Sequence, residues 1–146
     1  MFFRLLLKNS LIFFIFLWSS LIFSQDSLPQ KELKKFQEMT EENFIVLLEN
    51  KNLVMIYFYD PFYPDSMRMK DFVEKISVES NPEVFMVNIA TNLGLRKTFQ
   101  IKELPALVVL KQRKFIYGLT GYVDDVKVLS DYVNYGIKNG TYESGF

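Results

Sequence analysis

The 146-residue chain contains no cysteine and no histidine. Without cysteine it can form no disulfide, no thiolate nucleophile and no thiolate metal site. Without histidine it lacks the usual base of Ser-His-Asp and Cys-His machinery, and the commonest zinc and copper ligand. A surplus of positive charge is also missing, since Lys+Arg and Asp+Glu number 17 each; a nucleic-acid binder would carry a basic excess. Asp60 and Asp65 flank a turn, but calcium needs about six to eight oxygens from a shaped loop and no such spacing is present. No metal and no cofactor is therefore expected. The chemistry that remains is that of carboxylates, lysines and hydroxyls, which favours a binding or structural role over an enzyme.

What is abundant is apolar surface: 49% of the residues are hydrophobic and 16% aromatic. A chain of this length forms one domain and can bury a core without staples. The first residues carry Arg4 and Lys8 and no acid, and Leu11 to Phe23 then runs 13 residues without a charge before Ser24 and the polar Gln25-Asp26-Ser27. This is the pattern of a secretory signal peptide over residues 1–24. The alternative is a retained anchor, for which 13 residues are short, because a spanning helix needs about 20. Loss of residues 1–24 would remove Arg4 and Lys8 and no acid, leaving the chain at −2. The expected location is the secretory pathway, in the endoplasmic reticulum lumen or outside the cell, with no stable membrane span once the leader is cleaved. Asn139-Gly140-Thr141 is a glycosylation sequon. The C-terminal residues are not a retrieval signal of the Lys-Asp-Glu-Leu type.

Residues 25–35 form a polar lead-in, residues 36–138 the domain and 139–146 a tail. Phe36 to Met39 is a short strand. Thr40 is placed to cap a helix with Glu41 and Glu42 in its first turn, and Phe44, Leu47 and Leu48 share one face. Leu53 to Tyr59 reads as a strand buried on both faces. Asp60-Pro61 and Tyr63-Pro64-Asp65 mark a turn, with Asp65 as the cap of a helix from Ser66 whose stripe is Met69, Phe72, Val73 and Ile76. Val84 to Ile89 is a strand and Leu93 to Phe99 a short helix. Ala106 to Lys111 and Phe115 to Leu119 form a hairpin around Gln112-Arg113-Lys114. Asp124-Asp125 opens a last helix with Val126, Leu129, Val133 and Ile137 on one stripe, and Gly136 and Gly140 are candidate stops. The order β-α-β-α-β-α-β-β-α predicts an α/β protein with a mixed, mainly parallel sheet and helices on both faces.

Four segments then resemble the thioredoxin-like domains of the protein disulfide isomerase family. Thr40-Glu41-Glu42-Asn43-Phe44 is similar to that family's Leu-Thr-x-x-Asn-Phe helix start, and Phe58-Tyr59-Asp60-Pro61-Phe62 to its Phe-Tyr-Ala-Pro-Trp. Phe99 to Leu107 is similar to its Phe-x-Val-x-x-Tyr/Phe-Pro-Thr-Leu, and Gly121-Tyr122 stands where the glycine after the last strand belongs. The resemblance implies a thioredoxin-like fold over residues 36–138. It also marks a departure: where oxidoreductases of the family carry Cys-x-x-Cys, this chain has Tyr63-Pro64-Asp65-Ser66, and the buried acid of the preceding strand is matched by Tyr57. Dithiol exchange needs a thiolate to attack and a second thiol to resolve, and a phenol or an alcohol supplies neither.

The resemblance further implies that Pro105 is the family's cis-proline, that Leu104 before it offers its backbone to an extended peptide, and that Phe62, Tyr63, Leu104, Pro105, Gly121 and Tyr122 line a shallow groove. The expectation is a redox-inactive protein binding unfolded polypeptide or a protein partner without covalent chemistry. Two alternatives stand beside it: disulfide oxidoreductase or isomerase activity, by family resemblance, and a structural module that uses a helix face. Met69 belongs to a core stripe, whereas for Met67 core packing and a soft contact to a partner both stand open. Lys111, Arg113 and Lys114 make a charged hairpin tip of the kind that discourages edge pairing.

Overall fold

The structure, a computed structural model, describes residues 36–140. The leader over 1–24, the lead-in over 25–35 and Thr141 of the sequon lie outside the described residues. Nine elements follow in order: β1 (Gln37–Glu38), α1 (Phe44–Leu48), β2 (Leu53–Tyr59), α2 (Pro64–Lys75), β3 (Glu83–Asn88), α3 (Leu93–Thr98), β4 (Ala106–Lys111), β5 (Lys114–Thr120) and α4 (Val126–Asn139). They build a five-stranded mixed sheet in the order β1-β3-β2-β4-β5.

β2 is central because nearly every residue in it is apolar, so it can be covered on both faces; Val54 to Phe58 are all buried. It runs parallel to β3, placing Tyr59 beside Asn88, and antiparallel to β4, placing Phe58 beside Ala106. β5 returns antiparallel to β4, with Ala106 opposite Thr120. The sheet is therefore mixed and not mainly parallel: two strand pairings are parallel and two antiparallel, and the antiparallel ones hold more of the paired residues. The departure lies at α3. Its six residues cover only about 9 Å at 1.5 Å per residue, so α3 does not carry the chain back along the sheet, and β4 starts at the end where β3 finished. The hairpin turn itself has Gln112 and Arg113 both at positive φ, the geometry that two-residue hairpin loops favour.

The alternation of side chains along the strands divides the interior into two layers. Val54, Ile56, Phe58, Phe85, Val87 and Val108 face α1 and α3, where Leu48, Leu95 and Phe99 meet them. Phe58 and Phe99 pack tilted, with ring centroids 5.3 Å apart. On the other face Met55, Tyr57, Met86, Leu107 and Val109 meet Met69 and Val73 of α2 and Leu129 and Val133 of α4. Helices thus cover both faces.

Two helix starts differ in detail from the sequence reading. Thr40 is not the cap of α1; Asn43 is, and its Oδ1 accepts the Thr40 N–H at 2.8 Å, closing a turn ahead of the helix. α2 begins at Pro64 rather than Ser66, since proline's fixed φ suits a first helical position. Asp65 therefore sits inside the first turn, where it faces Arg68 at 3.7 Å instead of capping. In contrast, Asp125 does cap α4, its Oδ1 accepting from the N–H groups of Lys127 and Val128 at 2.8 and 2.9 Å. Gly140 ends that helix, but Gly136 does not: it lies buried within α4 because a Cβ there would run into the Tyr117 ring.

Candidate functional site

The strand register decides which loops meet. The C-terminal end of β2, the N-terminal end of β4 and the C-terminal end of β5 lie side by side. Consequently the turn after β2, the proline loop before β4 and the glycine loop after β5 share one end of the sheet.

The turn after β2 is fixed by Asp60. Its Oδ1 accepts the Phe62 N–H at 2.9 Å and its carbonyl accepts the Tyr63 N–H at 3.1 Å, a side-chain-stabilised turn of the kind aspartate favours. The result pushes Phe62 outward, 87% exposed, with Tyr63 exposed beside it. Pro64 is also exposed and Asp65 half-buried, whereas Ser66 is fully buried in the first turn of α2. The Ser66 Oγ has no hydrogen-bond partner. The backbone carbonyl of the same residue accepts the Tyr57 hydroxyl at 2.8 Å, tying β2 to the start of α2. Burial pushes the Tyr57 phenol far up from its ordinary value, so it is a neutral donor. Its ring stacks on Tyr59, centroids 6.2 Å apart, and Lys70 Nζ stands 5.5 Å from the Tyr59 centroid. Burial, aided by the Glu38 carboxylate, raises the Tyr59 phenol as well.

In the second loop the Leu104–Pro105 peptide is cis. Pro105 is buried, and its carbonyl accepts the Gly121 N–H at 2.9 Å, which joins the second loop to the third. Gly121 has φ +87°, a conformation glycine adopts without steric penalty. Leu104 is half-buried and packs on the α1/α3 layer, so what it offers at this end is mainly its backbone. Tyr122 packs on the opposite layer and meets Phe72 of α2 with centroids 6.3 Å apart. Phe62, Tyr63, Leu104, Pro105, Gly121 and Tyr122 are thus gathered at one end, on three loops held by specific bonds.

Asn139 lies away from this end, in the last turn of α4, exposed and with its side-chain amide donating to the Tyr135 carbonyl at 3.0 Å. Among the described residues no group of three or more acids, cysteines or histidines is placed to hold a metal ion, and no helix is long and apolar enough to cross a membrane. Two features escaped the sequence reading. One is the link from Tyr57 to Ser66, which joins residues nine apart and leaves no periodic trace. The other is a second stripe on α4, Val128, Tyr132 and Tyr135, all exposed. Its i, i+4, i+7 spacing was visible beside the core stripe. Tyr117 lies against it, its phenol raised by burial and by its neighbours Tyr132 and Tyr135.

Neither a comparison with protein-family models nor one with curated proteins gives a match. Among solved structures the chain is similar to a single-residue mutant of thioredoxin from Halobacterium salinarum NRC-1, with a TM-score of 0.57 and 16% identity over 65% of this chain and 84% of that one. At that identity the likeness establishes the fold, which is thioredoxin-like.

Proposed function

We propose that this is a redox-inactive, thioredoxin-like protein of the secretory pathway that binds polypeptide non-covalently at the three-loop end of its sheet. The observation that carries the reading is the pairing of an exposed Phe62-Tyr63 step with the Leu104–Pro105 loop and Gly121 at one end, where redox relatives of the fold would hold their thiols. Aromatic groups at a rigid turn bury much area at small entropic cost, and the backbone beside Pro105 suits the addition of an extended segment. The lack of any cysteine in the chain argues against thiol exchange at that place. The leader pattern over residues 1–24 supports the compartment.

The test pairs two assays on the purified protein. Capture of an unfolded polypeptide is expected to fall at least about tenfold in Phe62→Asp and Tyr63→Asp, since each places a charge in an exposed apolar contact. Catalysed reduction of insulin is expected to match the buffer blank. Unchanged capture in both variants rejects the site, and turnover above the blank restores the enzymatic alternative. A second reading, a structural module docking through a helix face, is favoured by one observation, the exposed Val128-Tyr132-Tyr135 stripe; retained capture in the loop variants with loss in Tyr135→Asp would select it.

A further inference from the structure

Only one side of α3 serves the core. Leu95 and the Phe99 that follows the helix turn inward onto the sheet. Leu93, Arg96 and Lys97 stand at i, i+3 and i+4 and share the outer side, where Leu93 is 56% exposed. That side borders a hollow of about 410 Å³ lined by Leu93, Arg96, Lys97, Gln100, Ile101 and Lys102. Backbone bonds hold these residues together. After α3 the chain turns at Gln100, whose φ is +49°; the Gln100 N–H donates to the Lys97 carbonyl at 3.0 Å and the Ile101 N–H to the Arg96 carbonyl at 2.9 Å. The half-buried Arg96 side chain then folds over the turn, its Nε donating to the Ile101 carbonyl at 3.1 Å and its Nη2 to the Lys102 carbonyl at 3.4 Å. Two neutral acceptors thus orient the guanidinium without cancelling its charge. Every charged residue lining the hollow is a cation, and among the described residues none of the three is ion-paired with a carboxylate. Two acids nearby in the fold are placed otherwise: Glu41 accepts the Gly94 N–H at 2.6 Å at the start of α3, and Glu103 lines a neighbouring hollow over β4 and β5.

We propose that this hollow docks an acidic segment of a partner protein, in which one leucine- or phenylalanine-sized side chain is flanked by aspartate or glutamate. The apolar side chain covers Leu93, and the flanking carboxylates meet Arg96, Lys97 and Lys102. Among the described residues, Nη1 of Arg96 and one hydrogen of Nη2 remain to take both oxygens of a carboxylate, the arrangement in which arginine binds carboxylates most strongly. Three cations are too few for a nucleic-acid footprint. Charge of one sign beside an exposed apolar group steers partners of the opposite sign and rejects like-charged ones, and the discrimination weakens as salt screens it. No residue lining this hollow belongs to the three-loop end, so the surface is additional to the polypeptide-binding site above.

The experiment uses the full-length protein and three dye-labelled peptides, each with one central leucine flanked on both sides by Glu, by Gln or by Lys. Fluorescence anisotropy at low ionic strength is expected to show the Glu peptide binding about tenfold or more tighter than the Gln peptide, with the Lys peptide weakest. The ratio of Glu to Gln affinity is expected to shrink several-fold on going to about 0.5 M NaCl. The double reversal Lys97→Glu, Lys102→Glu changes two exposed side chains; it is expected to abolish the preference with an unchanged urea midpoint, and Leu93→Asp to weaken all three peptides. Phe62→Asp and Tyr63→Asp are expected to leave Glu-peptide binding unaltered, which separates this surface from the three-loop end. Equal affinity for the Glu and Gln peptides, or a preference that survives the double reversal, overturns the proposal. Loss of Glu-peptide binding in Phe62→Asp or Tyr63→Asp also overturns it, by moving the acidic segment to the three-loop end. Retention on vesicles of phosphatidylserine and phosphatidylcholine without binding of the Glu peptide overturns it in favour of a membrane surface.

Discussion

Tyr57 and Ser66 meet where β2 is tied to the start of α2, and they hold the local structure by different means. The Tyr57 hydroxyl is paired with the Ser66 carbonyl, whereas the Ser66 hydroxyl is buried without a partner. Removing a paired donor costs about 1 kcal/mol, while removing an unpaired buried polar atom relieves a desolvation cost. Tyr57→Phe is therefore expected to destabilise by about 1 kcal/mol, and Ser66→Ala to leave stability unchanged or raise it by up to about 1 kcal/mol, as measured by urea unfolding. Phe58, fully buried between β2's neighbours and against Phe99, is a different case: Phe58→Ala is expected to cost about 3–5 kcal/mol. A loss below about 1 kcal/mol there would contradict its place in the core.

At the scale of the element, the segments with strong periodicity were legible from the amino-acid sequence and those fixed by tertiary contact were not. β2 announced itself as an unbroken apolar run, and α4 by its acid cap and its Leu129-Val133 stripe. The N-terminal cap of α1 and the start of α2 were misplaced because two competing residues could serve. At α1 a turn closed by the Asn43 side chain on the Thr40 N–H moved the helix start past Thr40, and at α2 the fixed φ of Pro64 moved the start ahead of Asp65. The role of Gly136 could not be read locally either, because its need for a hydrogen in place of a methyl arises from Tyr117 across the β5–α4 contact. Gly136→Ala should consequently destabilise by about 1–3 kcal/mol, the usual range for overpacking, even though alanine is the better helix former. Asp125→Ala removes the bonds to Lys127 and Val128 and should cost about 1 kcal/mol. Thermal melts of the two variants check both, and an unchanged midpoint for Gly136→Ala would contradict the packing of α4 on β5.

For the whole molecule, the fold class followed from the element order, whereas the direction of β4 did not, since only the length of α3 decides it. The candidate site was legible as a set of residues through the resemblance, but its convergence at one end depends on the register of β2, β4 and β5, which no local pattern encodes. Stability should also respond to alkali as a whole-molecule property. Burial raises the Tyr57 phenol, and Tyr59 and Tyr117 shift in the same direction. The folded chain then holds phenolic protons that the unfolded chain releases near its ordinary value of about 10. Their contribution is complete below that value and is lost as pH rises past about 10, because the unfolded state binds fewer protons there. Urea unfolding between about pH 8 and pH 11 should show stability falling above about pH 10, with a shallower fall in Tyr57→Phe.

Binding at the three-loop end requires that a polypeptide touch Phe62, Tyr63 and the proline and glycine loops. The most direct measurement is an NMR titration of the isotopically labelled protein with an unfolded, cysteine-free polypeptide. Shifts concentrated at Phe62, Tyr63, Leu104, Gly121 and Tyr122 are the predicted result; shifts confined to Val128, Tyr132 and Tyr135, or none at any ratio, would contradict it.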